Sequence, residues 1–209
     1  MGILILSDLH HFDRVRDSCI CESFRYIRKV VFLGDIAYQS LKLFTNDNEF
    51  GVTFYAVYGN HCEYSMFDEL GIIQLDGKLI DVGDDETGSV FITGMSGSHR
   101  YKNGDYPMLT QDESIQIAET LPKADIFFTH DCAYGGGLTR KDDVANQGLM
   151  GIRRYIRKNK PLIHVHGHYH RWHKEKIGRT LSVGSEHETI LWLGDNFRKT
   201  KAFDVEYAN

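Results

Sequence analysis

The sequence predicts an α/β fold, on three observations. Short apolar or β-branched runs alternate with segments of helical spacing, Gly and Pro punctuate the junctions, and no uninterrupted apolar stretch reaches the 18 or so residues of a membrane span. The chain has 209 residues, enough for one domain with a sizeable core, and no repeat, low-complexity tract or linker divides it. A single domain over residues 1–209 is expected.

Residues 3–6 (ILIL) are apolar on both faces, as in a strand buried on both sides, and the segment 12–29 after them spaces Phe12, Val15, Cys19 and Ile20 as a helix does. The same strand signal recurs at 30–33 (VVFL), 52–58 (VTFYAVY), 125–128 (DIFF) and 162–165 (LIHV). Residues 89–94, 179–184 and 189–194 supply further strands. TQDE at 110–113 is a capping box that opens a helix ending near Pro122, and LMGIRRYIRK is a second helix before Pro161.

The residues just past the five main runs matter more than the runs themselves. The first run leads into Ser7, Asp8, Leu9 and His10; the next three into Gly34–Asp35, Gly59–Asn60–His61 and Thr129–His130; the last into His166–Gly167–His168–Tyr169–His170. Each strand thus delivers oxygen or imidazole groups just past its carboxyl end, the edge at which α/β sheets bind ligands. Carboxylate, imidazole and one amide oxygen, without thiolate, suit Mn, Fe, Zn, Co or Ni better than copper or an iron–sulfur cluster. Two such cations need a shared ligand, for which a carboxylate with two oxygens is suited.

Taken singly, these residues have plainer readings. Asp8 is a turn or cap residue, Gly34–Asp35 an ordinary strand-ending turn, Asn60 a residue tolerated in the left-handed region, and His130 a buried, satisfied histidine. The recurrence after five strands weighs against all of these at once. The net charge of −5 argues against a surface built to neutralise double-stranded nucleic acid, which leaves small or single-stranded ligands. Four cysteines, only two of them close in sequence, form neither a disulfide framework nor a zinc knuckle. With no leader or membrane segment evident, a cytoplasmic location is expected.

DLH (8–10), GD (34–35), GNH (59–61), the lone His130 and GHYH (167–170), in this order, resemble the calcineurin-like metallophosphoesterase superfamily. The resemblance covers most of the chain. It implies two mixed β-sheets packed as a sandwich and flanked by helices, a four-layer αββα arrangement. It implies that Asp8, His10 and His170 hold one divalent metal and Asn60, His130 and His168 another, with Asp35 bridging and Mn the foremost candidate. His61 corresponds to the family's catalytic histidine, which protonates the leaving oxygen or stabilises charge on the phosphoryl group. A bridging hydroxide would attack phosphorus in line with the leaving group.

Two departures from common relatives narrow the reading. IAYQS after GD lacks the Asp and Arg of the phosphoprotein phosphatases, and Cys62 stands after GNH where Asp or Glu is usual, with Glu63 beside it. Cys62 and Cys132 are read either as oxidation-sensitive neighbours of the metals or as small residues filling tight loops. His164 and His166 share a strand face, as packed residues or hydrogen-bond partners of the ligands; His11 and His173 are expected at the surface or rim.

Two long loops, 94–108 and 131–148, are best placed to wall the site. From them Tyr101, Tyr134 and Tyr106 are candidates for stacking on a base, and His99, Arg100, Arg140 and Lys141 for holding phosphate oxygens; solvation or local packing is the competing explanation. Gly135–Gly137 suggests a mobile segment or close backbone approach, and the basic stretch 153–160 a solvated helix end. The expected function is a two-metal phosphodiesterase for small organic or nucleotide esters, cyclic nucleotides included. A phosphomonoesterase, nucleotidase or nuclease on the same centre is the alternative, and a non-catalytic binding scaffold of the same fold a more distant one. Oligomeric state is left open.

Overall fold

A computed structural model describes residues 1–207 except 47 and 49. In chain order the strands are β1 (Gly2–Ser7), β2 (Lys29–Phe32), β3 (Thr53–Ala56), β4 (Ile73–Gln74), β5 (Ile80–Asp81), β6 (Phe91–Met95), β7 (Ser98–His99), β8 (Met108–Leu109), β9 (Ile126–Thr129), β10 (Ile163–His166), β11 (His173–Ile177), β12 (Thr180–Gly184), β13 (His187–Leu193) and β14 (Phe203–Tyr207). The helices are α1 (Arg14–Ser23), α2 (Tyr38–Thr45), α3 (Met66–Glu69), α4 (Gln111–Thr120), α5 (Met150–Asn159) and α6 (Phe197–Thr200).

One six-stranded sheet runs β14-β13-β1-β2-β3-β4; its β1 to β4 are parallel, while β13 and β14 add as antiparallel neighbours. The other runs β11-β12-β10-β9-β6-β5, parallel from β12 through β6 and antiparallel at both edges. Both sheets are therefore mixed.

The period-2 alternation of strand side chains explains the layers. Ile3 and Ile5 of β1 join Val31 and Leu33 against Ile126, Phe128, Ile163 and Val165 of the other sheet, forming the core between sheets. Leu4, Leu6, Val30 and Phe32 point the opposite way and meet Ile20 of α1 and Leu41 and Phe44 of α2. On the far face of the second sheet, Phe127 packs with Ala118 of α4 and Ile152, Tyr155 and Ile156 of α5. The result is helix, sheet, sheet, helix.

The capping box forms as its residues predict: Thr110 accepts from the Glu113 amide, and the Glu113 carboxylate accepts from the Thr110 amide. The first helix is shorter than the predicted 12–29. Asp13 caps it by accepting from the Val15 and Arg16 amides, which leaves Phe12 outside, and after Ser23 the chain turns.

His164 and His166 share one face of β10 and stack on each other, their ring centroids 5.3 Å apart, opposite the face that carries Ile163 and Val165 into the core. His164 is fully buried between Thr129 Oγ1 (2.9 Å) and Ser182 Oγ (2.8 Å), and neither ring bonds directly to a predicted ligand side chain. Burial, reinforced by His166, holds the His164 pKa well below its ordinary value of 6.5. The unfolded chain therefore takes up this proton first, so the stability contribution is complete above pH 6.5 and is lost as the pH falls below it. His164→Gln should show a shallower loss of stability with acid than wild type, by up to about 1.4 kcal/mol per pH unit. Urea denaturation at pH 7.5, 6.5 and 5.5 checks this, and parallel slopes for the two proteins would contradict it.

Candidate metal centre

The carboxyl ends of β1, β2 and β3 in one sheet face those of β9 and β10 in the other, and the turns that leave them are tied together. Asp8 N–H donates to the Gly34 carbonyl (3.2 Å) and Gly167 N–H to the His130 carbonyl (3.0 Å). Across the sheets, His168 N–H donates to Asp8 Oδ2 at 2.9 Å. Asp8, Asp35, His168 and His170 all have positive φ, between 46° and 69°, where non-glycine residues are uncommon. Such backbone persists where surrounding structure imposes it, and it concentrates at functional sites.

The geometry brings all seven predicted ligands and His61 to this edge. Asp8, His10 and His170 place one ligand atom each within 4.8 Å of one another, and Asp8, Asp35 and His130 do the same. His130 Nε2 lies 3.0 Å from Asn60 Oδ1 and 3.4 Å from Asp35 Oδ2. His10 Nε2 is 3.3 Å from His170 Nε2, their rings nearly parallel. His61 donates its backbone N–H to Asp35 Oδ1 at 2.8 Å, and its exposed ring meets His10 edge-on at 5.5 Å. The floor of the cluster, Asp8, Asp35, Asn60 and His130, is buried, while His10, His61 and His170 stand exposed around its mouth.

Backbone carbonyls preset the imidazoles. His130 Nδ1 faces the Leu33 carbonyl at 2.6 Å, and His168 Nε2 faces the Ala145 carbonyl at 3.0 Å. A carbonyl only accepts, so these nitrogens carry the protons, which leaves His130 Nε2 and His168 Nδ1 as potential metal donors. Burial opposes protonation of His130, but the Asp35 carboxylate outweighs it and raises the His130 pKa to about 9. For Asp35, burial is likewise outweighed, chiefly by His130, and the carboxyl is held below the usual carboxylate range. Asp8 Oδ1 is buried without a hydrogen-bond partner, 3.8 Å from His170 Nε2. An orphaned carboxylate oxygen facing an imidazole nitrogen fits a divalent cation.

Glycine at 59 is required by this closeness: a Cβ there would strike Asp35 Oδ1 and come within 2.7 Å of His130 Cε1. Cys62 accepts at Sγ from the Asp35 and Gly59 amides, both at 3.2 Å, in the tight loop. Burial, and then Asp35, pushes its thiol up to about 12, and its place in the tight loop agrees with the packing reading. Burial likewise raises the Cys132 thiol.

Of the seven candidates for substrate contact, Tyr101, Arg140, His99, Arg100 and Tyr134 divide between the centre and its surroundings. Tyr101 is at the centre, where its hydroxyl accepts from Asn60 Nδ2 at 3.1 Å, an orienting contact that sequence reasoning did not assign to it. Arg140 lines an adjoining cavity. The other three turn elsewhere: His99 Nδ1 bonds the Val144 carbonyl (2.8 Å), Arg100 reaches the Met108 carbonyl (2.7 Å) and Glu113, and Tyr134 lines a groove with Ile115, Met150 and Arg153. Tyr106 lies under the Lys102 ammonium. His11 is exposed as expected, whereas His173 begins β11 with its Nε2 buried. The turn at 144–146, whose carbonyls hold His99 and His168, carries no side-chain signal that could have revealed its part.

The profile of the calcineurin-like phosphoesterase superfamily domain matches residues 1–189. Solved structures share the fold at low identity. The protein TT1561 of Thermus thermophilus is 12% identical with a TM-score of 0.66, over 99% of this chain and 98% of its own. A phosphopantetheinyl hydrolase of Mycobacterium tuberculosis is 13% identical with a TM-score of 0.62, over 100% and 96%. An archaeal phosphodiesterase is 17% identical with a TM-score of 0.50, over 100% of both chains. No protein of curated function matches by sequence.

Tyr101→Phe removes the group that fixes the Asn60 amide, so Oδ1 is no longer held toward His130. Affinity for a divalent cation should fall about 10- to 100-fold in a folded protein, read by calorimetric titration. Wild-type affinity in this variant would remove Tyr101 from the role.

Proposed function

Because the chain belongs to the calcineurin-like phosphoesterase superfamily, a family of divalent-metal-dependent phosphoric ester hydrolases, we propose that it is a two-metal phosphodiesterase of small organic or nucleotide esters, cyclic nucleotides included. Asp8, His10 and His170 would hold one cation and Asn60, His130 and His168 the other, with Asp35 shared. Cations in such a site neutralise charge on phosphoryl oxygens and acidify water enough for it to act as a nucleophile near neutral pH. Mn is the first metal to test, with Fe, Zn, Co and Ni beside it.

His61 stands at the mouth with its backbone fixed on Asp35, and its exposed ring would give a proton to a departing oxygen or stabilise the phosphoryl group. Asn60 is oriented by Tyr101, and His168 by the Ala145 carbonyl. One observation carries the diester preference: cavities adjoin the ligand cluster on two sides. One, of about 300 Å³, shares His10, Asp35 and His61 with the centre and extends past Ala37, Tyr38 and Met66. The other, of about 390 Å³, shares Asn146, Tyr169 and His170 with it. A diester has a substituent on each side of phosphorus, and both need room. We take residues 1–209 as one domain, since both sheets supply ligands, and place it in the cytoplasm on the strength of its four free cysteines. No helix among the described residues is long and apolar enough to cross a membrane.

Activity should vanish on chelation and return on adding a divalent cation, tested with Mn, Fe, Zn, Co and Ni. Asp35→Asn should lose both tight metal binding and turnover. His61→Ala should keep its metals while kcat falls about 10²- to 10⁴-fold. Parallel assays on bis(p-nitrophenyl) phosphate, p-nitrophenyl phosphate and cyclic AMP decide the substrate class, and a strong monoester preference would replace the diesterase by a phosphomonoesterase. Full activity in either variant would defeat the role given to that residue.

A further inference from the structure

The two cavities beside the metal ligands differ in chemistry. The one reached past Tyr38 and Met66 contains the acid Glu63, whereas the one beyond His170 is lined by Arg140 and Arg171 together with residues 137–139. Both arginines are exposed, and a lone exposed arginine is ordinarily just solvated. What sets these two apart is their place, together on a cavity that adjoins the candidate ligands. Like Arg14, Arg28, Arg153, Arg157 and Arg179, neither forms an ion pair among the described residues, whereas Arg16, Arg25, Arg100, Arg154 and Arg198 each pair with a carboxylate, so no acid in the cavity holds their charge. Glu175, which stands nearby, turns its carboxylate to the Gly137 amide at 3.1 and 3.2 Å.

The cavity is also continuous with the centre. Asn146, Tyr169 and His170 line both, and His170 is itself a candidate ligand. A group attached to a phosphorus held at the metals would extend into it. Arg140 is anchored at its base, its backbone N–H donating to the Asn146 carbonyl at 2.7 Å. Guanidinium groups present planar donor forks that match phosphate oxygens, and two of them balance a dianion.

We propose that Arg140 and Arg171 form a subsite for a second phosphate group, so that the preferred ligands carry one phosphate at the metals and another beside His170. This rests on the proposed hydrolytic site for where the first phosphate lies. Calorimetric titration of the Mn-loaded protein with adenosine 3′,5′-bisphosphate and with AMP tests it without turnover. The bisphosphate should bind at least about tenfold more tightly than AMP, consistent with charge-assisted contacts to one phosphate. That ratio should collapse toward one in R140A/R171A and recover in part in R140K/R171K. Equal affinities in wild type, or an unchanged ratio in R140A/R171A, would overturn the subsite. A protein that shows the ratio and its collapse but cleaves no ester supports the subsite and overturns only the hydrolytic reading.

Discussion

The buried His130 ring, which donates from Nδ1 to the Leu33 carbonyl 97 residues earlier, joins the two sheets where the candidate ligands meet. The carbonyl comes just after β2 and the imidazole just after β9, so the bond ties the two strand ends together. It also decides which nitrogen can ligate. With Nδ1 engaged, Nε2 has one direction left, into the space it shares with Asp35 and Asn60. His168 N–H on Asp8 makes a second tie between the sheets. The candidate metal centre is thus a seam: neither sheet contains it, and any shift of one sheet over the other would separate the candidate ligands.

Holding that seam costs backbone strain. Four of the seven candidate ligands have left-handed φ, which for non-glycine residues costs on the order of 1 kcal/mol or more each. The offsetting stabilisation comes from elsewhere, in β1, β2 and β9, whose apolar faces pack on both sides, and in the core-facing side of β10. A charged floor under an open mouth results from the same arrangement. Asp8, Asp35 and His130 are immobilised by burial and by one another, while His10, His61 and His170 are free to meet solvent and ligand.

Much of this was legible in the sequence because strands buried on both faces and the polar residues just after them leave patterns in side-chain type. The central strands and the capped helix α4 are recognisable on that basis. Elements that lack such patterns are not. β11 reads HKEKI, an edge strand whose Lys and Glu protect it from further pairing and erase its apolar signal. Helix α2 begins at Tyr38 after Ala37, whose methyl side chain cannot cap it, so nothing marks its start. Within the site, side chains announce themselves but their supports do not. The carbonyls of Leu33 and Ala145 belong to residues whose side chains say nothing of the task, and Tyr101 was legible as an aromatic loop residue but not as a hydrogen-bond partner of Asn60.

His10 and His170, whose Nε2 atoms lie 3.3 Å apart, are separated by 160 positions, as are Asp8 and His168. During synthesis the first strands would emerge with Asp8, His10, Asp35 and Asn60 in place long before β10 exists to close over them. A cation meeting such a nascent chain would find an incomplete set of donors and no second sheet to exclude water. A cation that needs the full set of donors would therefore be held only after residue 170 has cleared the ribosome.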